Sequence, residues 1–274
     1  MAKFLRIQLV MLLLIPTIMV ATAGGENRPS GARSAGMGTA SVAVADLWSA
    51  FNNQAALARI ESAYAGVYYE NRYMLRELGY KAGAFALPVK HGTVALSFAH
   101  FGYSAYNESK IGLAYAKSFG KYISFGLQLD YNMARLDESY GNRNFITFEA
   151  GMLANITPEL AIGAHVYNPI RARLSEFNDE RAPVIFRLGA AYEITEKFLL
   201  TAETEKDINH NANLKAGIEY KLIPALHLRG GISTNPSSNS FGVGIFAGDF
   251  IIDISASYHH ILGFSPQASL NYKF

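Results

Sequence analysis

The stretch "ISFGLQLDYNM", residues 123–133, sorts its side chains by parity. Ile123, Phe125, Leu127, Leu129, Tyr131 and Met133 are apolar, whereas Ser124, Gly126, Gln128, Asp130 and Asn132 are polar or small. That period of two marks a strand with two chemically different faces. Residues 250–258 repeat it, with Phe250, Ile252, Ile254, Ala256 and Tyr258 set against Ile251, Asp253, Ser255 and Ser257. Residues 184–193 and 215–222 follow the same rule. In residues 78–88 both faces are apolar or small, so polarity fixes no register there.

Segments between turn signals number fourteen: 62–72, 77–88, 91–102, 107–118, 121–135, 143–155, 158–168, 183–194, 197–207, 211–222, 224–233, 239–247, 249–260 and 265–274. Every second connection is short, as in "PVKHG", "FGK", "ITPE", "ITEK", "LIPA" and "AGD", and the intervening ones, such as 137–143 and 168–183, tend to be longer. A soluble sandwich also alternates, because one face of each sheet packs on its core. It has no reason to segregate turn lengths or to gather Tyr and Phe near strand ends. Both features belong to a transmembrane barrel with an even strand number. The expected fold is therefore all-β, a fourteen-stranded antiparallel membrane barrel over residues 62–274.

Residues 1–23 read as a cleaved export signal: Lys3 and Arg6, an apolar run from Leu9 to Val20, then Ala21-Thr22-Ala23. Removing them leaves 22 basic and 22 acidic residues, a balance that excludes a nucleic-acid footprint. No cysteine is present, so disulfides and thiolate metal sites are excluded. An exported barrel is expected in the outer membrane, in contact with its lipids. The closing "ASLNYKF" puts Tyr272 and Phe274 on the lipid face and resembles the C-terminal signal read by the barrel-assembly machinery.

Enzymatic motifs, including G-x-S-x-G, the P-loop and H-E-x-x-H, do not occur, and no catalytic residue, cofactor or metal is expected. His259 and His260 are adjacent, so on a strand they would face opposite ways. A barrel-edge lipid hydrolase would need a serine–histidine pair, for which Ser255 or Ser257 with His259 is the one candidate considered. Inward positions carry Lys81, Asp130, Glu149, Arg187, Glu203, Lys215, Glu219, Arg229 and Asp253, with Glu70, Lys110 and Lys273 besides. The mixed signs point to an ion-pair network rather than an ion-selective pore. Inward glycines, among them Gly126, Gly163, Gly217 and Gly242, mark bends or places where another backbone comes close.

A candidate for that other backbone precedes the strands. "GARSAGMGTASVAVADLWSAFNNQAALA", residues 31–58, does not alternate, and it holds the single tryptophan, Trp48. Gly31, Ala32, Arg33, Gly36, Met37, Gly38, Ala40, Ala45 and Asp46 resemble the N-terminal element of FadL-like outer-membrane barrels, nearest the PorV/PorQ branch of Bacteroidota. At Asn53-Gln54 the sequence departs from the asparagine–proline of that pattern. The resemblance implies that residues 24–61 fold inward as a hatch. Arg33, Gly36, Met37, Gly38, Asp46, Trp48 and Asn53 are its gating candidates, with Val42, Val44, Leu47 and Trp48 on one face of a short helix. Arg33 and Asp46 would meet opposite charges on the wall. It further implies passage of small hydrophobic molecules with lateral exit through a kink in the wall. The alternative it carries is a non-enzymatic docking role toward secreted proteins in type IX secretion.

Overall fold

The computed structural model describes residues 27–136, 142–173 and 181–274; the expected export signal lies outside them. Alternation produces the strands β1 (Tyr64–Asn71), β2 (Gly79–Val89), β3 (Gly92–Gly102), β4 (Tyr106–Phe119), β5 (Ile123–Leu136), β6 (Asn142–Asn155) and β7 (Leu160–Tyr167). The second half follows as β8 (Ile185–Thr195), β9 (Phe198–Asp207), β10 (Asn213–Ile223), β11 (Leu226–Thr234), β12 (Ser237–Ala247), β13 (Phe250–His259) and β14 (Gly263–Lys273). Each pairs antiparallel with its sequence neighbours, and β1 pairs with β14 to close the ring. Closure removes the exposed edges that an open sheet would carry, the condition for a sheet to sit in lipid. All strand boundaries fall within two residues of their expected positions.

The outward parity is an apolar surface. Leu127, Leu129, Leu113, Leu96, Val67, Phe241 and Ile254 are all more than half exposed, as a hydrocarbon-facing wall requires. Phe274 donates its amide to the Ala63 carbonyl at 2.9 Å, and its ring lies edge-on to Phe85 and Tyr272. The chain end thus contributes to the seam beside β1 and β14. One rim carries short turns such as Lys90–His91, 196–197, 224–225 and 248–249. The opposite rim carries the longer 72–78 and 208–212 but also the two-residue 235–236, so the contrast in length is weaker than the sequence implied.

Three expectations are corrected. Lys81 points outward, not into the lumen, because Tyr80, Ala82, Ala84 and Ala86 take the inward parity of β2. Those small inward residues pack against Trp48 and Phe51, a constraint that polarity along β2 does not encode. No register shift of the described ladder falls at an inward glycine. The ladder shifts register at Glu193/Thr195 and Lys221/Ile223, both at the short-turn rim. The His259 and His260 rings stack 4.9 Å apart instead of opposing, because β13 ends at His259 and His260 begins the turn.

Residues 27–60 lie inside the ring. They form α1 (Ala32–Gly36), an irregular run, α2 (Ser49–Asn52) and a 3₁₀ helix over Gln54–Arg59. Gly31 and Gly38 adopt φ of +96° and +65°, a region that side-chain-bearing residues disfavour. At Gly31 there is a second reason, since a Cβ would lie 2.5 Å from the Trp48 ring.

The segment rests on the inward glycines. A Cβ added at Gly217 would lie 2.5 Å from the Met37 carbonyl oxygen. At Gly163 it would lie 2.7 Å from the Val42 carbonyl carbon, and at Gly126 2.7 Å from the Gln54 carbonyl oxygen. We expect Gly126→Val to leave the barrel formed but expel the hatch from its seat, detected as protease cleavage within residues 27–60 alongside an unchanged heat-modifiable band. Gly83→Val, whose nearest outside atom is 3.7 Å away on the outward face, should cut no faster than wild type.

Candidate functional site: a hatch locked to the lumen wall

The inward parity brings acids from successive strands against the segment 27–60. Arg33, on α1, makes a two-pronged contact with Glu219 of β10, Nε donating to Oε2 at 2.9 Å and Nη2 to Oε1 at 2.8 Å. Glu219 also accepts from Arg229 Nε of β11 at 2.6 Å, and Arg229 Nη1 donates to Asp253 of β13 at 2.6 Å. Asp46 joins from within the hatch, 3.5 Å from Arg33 Nη1, and its other oxygen accepts the Trp48 amide at 2.9 Å. The Asp46 counter-charge is therefore Arg33 rather than a wall residue, because the carboxylate is committed to capping the turn at Trp48. Burial raises the Asp46 carboxyl above its usual range against the pull of Arg33. Burial also opposes the Arg33 charge, but Glu219 and Asp46 outweigh it and raise the guanidinium's pKa.

A second contact uses backbone donors. Glu203 of β9 accepts the amides of Ser41 and Val42, both at 2.9 Å, while its other oxygen accepts Lys215 Nζ at 3.0 Å. Lys215 continues to Glu205 at 2.9 Å, and Glu205 to Arg187 at 2.7 Å. Asn53 Nδ2 donates to the Val42 carbonyl at 2.6 Å and to the Met152 carbonyl of β6 at 3.1 Å. These bonds explain why the expected helix over Val42–Trp48 does not form. Asn53 takes the Val42 carbonyl, Ser49 Oγ takes the Asp46 amide that would have bonded it, and the Asp46 carboxylate takes the Trp48 amide, so helix resumes only at Ser49.

The third contact lies at the position where the sequence departs from its resemblance. Gln54 Nε2 donates to Glu149 Oε2 of β6 at 2.8 Å, and that oxygen also pairs with His165 Nε2 of β7 at 2.9 Å. Lys110 of β4 donates to the other Glu149 oxygen at 2.8 Å and stands 3.9 Å from Asp130 of β5. Gln54 is thus a hatch contact that the residue pattern did not single out. Its signal was the missing proline, which would have had no side-chain donor. The remaining flank is apolar: Trp48 and Phe51 pack on Tyr68 and Tyr80 and on the alanines of β2, β3 and β4.

These contacts divide the lumen. Above the hatch, at the loop rim, is a cavity of about 870 Å³, lined by Ser, Asn and Gln together with Glu205, Lys215 and Tyr73. Below it, at the short-turn rim, is one of about 300 Å³ bounded by Arg33, Asp46, Trp48, Arg59, Arg229 and Lys273. Between them stands α1, with Gly36 backed directly onto Gly242 of β12. A smaller niche lies beside Tyr80, Ala99, Phe101 and Phe145, at the loop-side end of the apolar flank. The guanidinium of Arg28 sits 3.5 Å from the Phe101 ring centre there.

The named inward charges other than Lys81 take the inward parity, and all are buried except Lys110, which is partly so, and Lys273, which is exposed at the short-turn rim. Met37 and Asn53 are buried in the hatch, Trp48 closes it against β1, and Tyr272 faces outward. The serine–histidine pairing considered for Ser255, Ser257 and His259 does not form. Ser255 donates to Gln267, Ser257 pairs with Ser240, and His259 Nδ1 accepts the Ile261 and Leu262 amides.

Glu219 holds two guanidinium groups, and removing one partner of a buried pair costs about 3–5 kcal/mol. Glu219→Ala is expected to lower the unfolding free energy by about that amount and to speed cleavage within residues 27–60, read by denaturant titration and limited proteolysis. Lys206→Ala, on the outer wall, should change neither.

No family model matches the sequence, and no curated protein does. Among solved structures, the Pseudomonas putida toluene transporter TodX aligns over 91% of this chain and 99% of its own, with a TM-score of 0.68 at 11% identity. A Pseudomonas aeruginosa FadL homologue aligns over 92% and 100%, at 0.67 and 13%. The Ralstonia pickettii toluene transporter TbuX aligns over 89% and 98%, at 0.65 and 12%. At such identities the likeness is one of fold: this chain is a closed fourteen-stranded barrel of the architecture found in those FadL-type transporters.

Proposed function

We propose that this protein is an outer-membrane channel for small hydrophobic molecules, delivered there by a cleaved export signal, with residues 27–60 as its gate. The observation that carries the reading is the partition of one lumen into two cavities by a segment held through side chains and glycine contacts. A structural barrel needs no such divider. The fold shared with two toluene transporters and a FadL homologue supports the same substrate class.

The gate has two unlike edges. Toward β5–β13 it is fixed by Arg33–Glu219, Glu203 and Glu149. Toward β1–β4 Trp48 and Phe51 rest on alanine and aromatic rings, and the hydrogen bonds on that side, such as Ser30 to the Tyr80 hydroxyl at 2.8 Å, lie at the ends of the segment. A hydrophobic molecule entering at the Tyr80–Phe101 niche meets that apolar edge first. Displacing Trp48 and Phe51 exchanges one apolar contact for another, whereas passage on the opposite side would unpair buried charges. Arg33, Gly36, Met37, Gly38, Asp46 and Asn53 then act as the anchored side of the gate, and Trp48 as its moving side.

Trp48 supplies the test. In proteoliposomes, wild type should take up toluene or a fatty acid faster than empty vesicles. Trp48→Ala, which withdraws the ring that packs on Tyr68, should raise uptake above wild type, whereas Lys206→Ala on the outer wall should leave it unchanged. Equal uptake with and without protein would sink the transport reading; uptake unchanged by Trp48→Ala would sink the gate.

A further inference from the structure

Strand parity sorts the charged side chains by sign as well as by face. Every Asp and Glu carried by the described strands occupies an inward position. The charged side chains that those strands direct outward are all basic: Lys81, Lys117, Arg135 and Lys206. Two of them are used locally. Lys117 sits over the Phe119 ring near the short-turn rim, and Lys206 donates to the His210 carbonyl.

Lys81 and Arg135 are left, and neither has an ion-pair partner among the described residues. They flank one patch at the loop-side end of β2–β5. Lys81 stands in register with His100 of β3, and His100 with Ser109 of β4. The His100 Nδ1 and Ser109 Oγ atoms are 2.9 Å apart. One pleat nearer the midplane, the same strands present Phe98, Ile111 and Tyr131 to the outside. One pleat nearer the loops, Arg135 stands in register with Asn107.

The patch therefore lies where the apolar belt gives way to polar residues, the level of lipid head groups. A cation at that level lays its stem along the wall and carries its tip to the interface, where anionic head groups attract it. With the carboxylates of the described strands turned inward, none of them supplies a competing anion. We propose that Lys81, His100, Ser109 and Arg135 form a docking site for the phosphate head group of an anionic lipid in the loop-side leaflet. The Lys81 ammonium and Arg135 guanidinium supply the charge. The hydroxyl of Ser109 and the free ring nitrogen of His100 supply hydrogen bonds between them. His100 and Ser109 also border the Tyr80–Phe101 niche, but the lipid readout does not depend on transport.

Native mass spectrometry of the full chain, released from bilayers of equal phosphatidylcholine and phosphatidic acid, reads the retained lipid directly. Wild type should keep phosphatidic acid in preference to phosphatidylcholine. Lys81→Ala/Arg135→Ala should keep at least about tenfold less of it, as expected for losing two cation–phosphate contacts. Lys81→Arg/Arg135→Lys should restore retention, and Lys117→Ala should leave it unchanged. Heat-modifiable mobility establishes that each variant is a folded barrel. Equal retention of both lipids by wild type, equal retention by wild type and the double alanine variant, or loss of phosphatidic acid to millimolar inorganic phosphate would each overturn the proposal.

Discussion

Backbone can lie against backbone only where the wall has no Cβ, and this molecule depends on that steric condition. Residues 36–55 travel around the inside of the ring from β12 back to β5, seated in turn on Gly242, Gly217, Gly163 and Gly126. Once seated, their amides and side chains come within hydrogen-bond distance of Glu219, Glu203 and Glu149. The glycines set the depth at which the segment rests, and the acids set its register along the path. Neither would suffice alone. A groove without acids would leave buried amides unpaired, and acids without a groove would hold the segment too far off to be bonded.

The lumen is consequently two materials. From β5 to β13 it is a lattice of charges in which an acid serves several donors, as Glu219 serves Arg33 and Arg229. From β1 to β4 it is mainly alanine and aromatic packing, with Lys110 reaching across to Glu149 and Glu70 near the loop rim. Buried charge pairs add little net stability over apolar packing, yet they resist the loss of either partner. That contrast makes one edge of the hatch specific and the other slippery.

Much of this was legible because a barrel wall writes its geometry as parity. In β5 and β13 a single apolar face fixes strand, register and orientation together, and the turns between strands fix their number. Legibility failed where polarity carried no signal. In β2 both faces are apolar or small, so the inward choice was made by Trp48 and Phe51 from outside the strand, and Lys81 was displaced outward. The hatch itself was recognisable from Gly31 to Asp46, but its conformation was not. Val42 and Val44 have the spacing of a helix face, but Asn53 took the carbonyl, and Ser49 and the Asp46 carboxylate the amides, that a helix would have used. Gln54 was visible only as a departure, and its meaning depended on Glu149 lying opposite.

Ring closure has a consequence for the order of assembly. β1 meets its partner β14 only when the last residues of the chain are in place, with some two hundred residues between the paired positions. Residues 33–54 draw their partners from β6, β9 and β10, so most of their contacts do not exist while the first half of the wall is forming. These residues, which precede every strand, must therefore wait longest for their bonding partners. Through that interval Trp48 and Phe51 can rest on the alanines of β2–β4, which arrive first. The apolar edge of the hatch thus doubles as a temporary berth, keeping the segment inside the curving sheet until the charged half of the wall comes around to claim it.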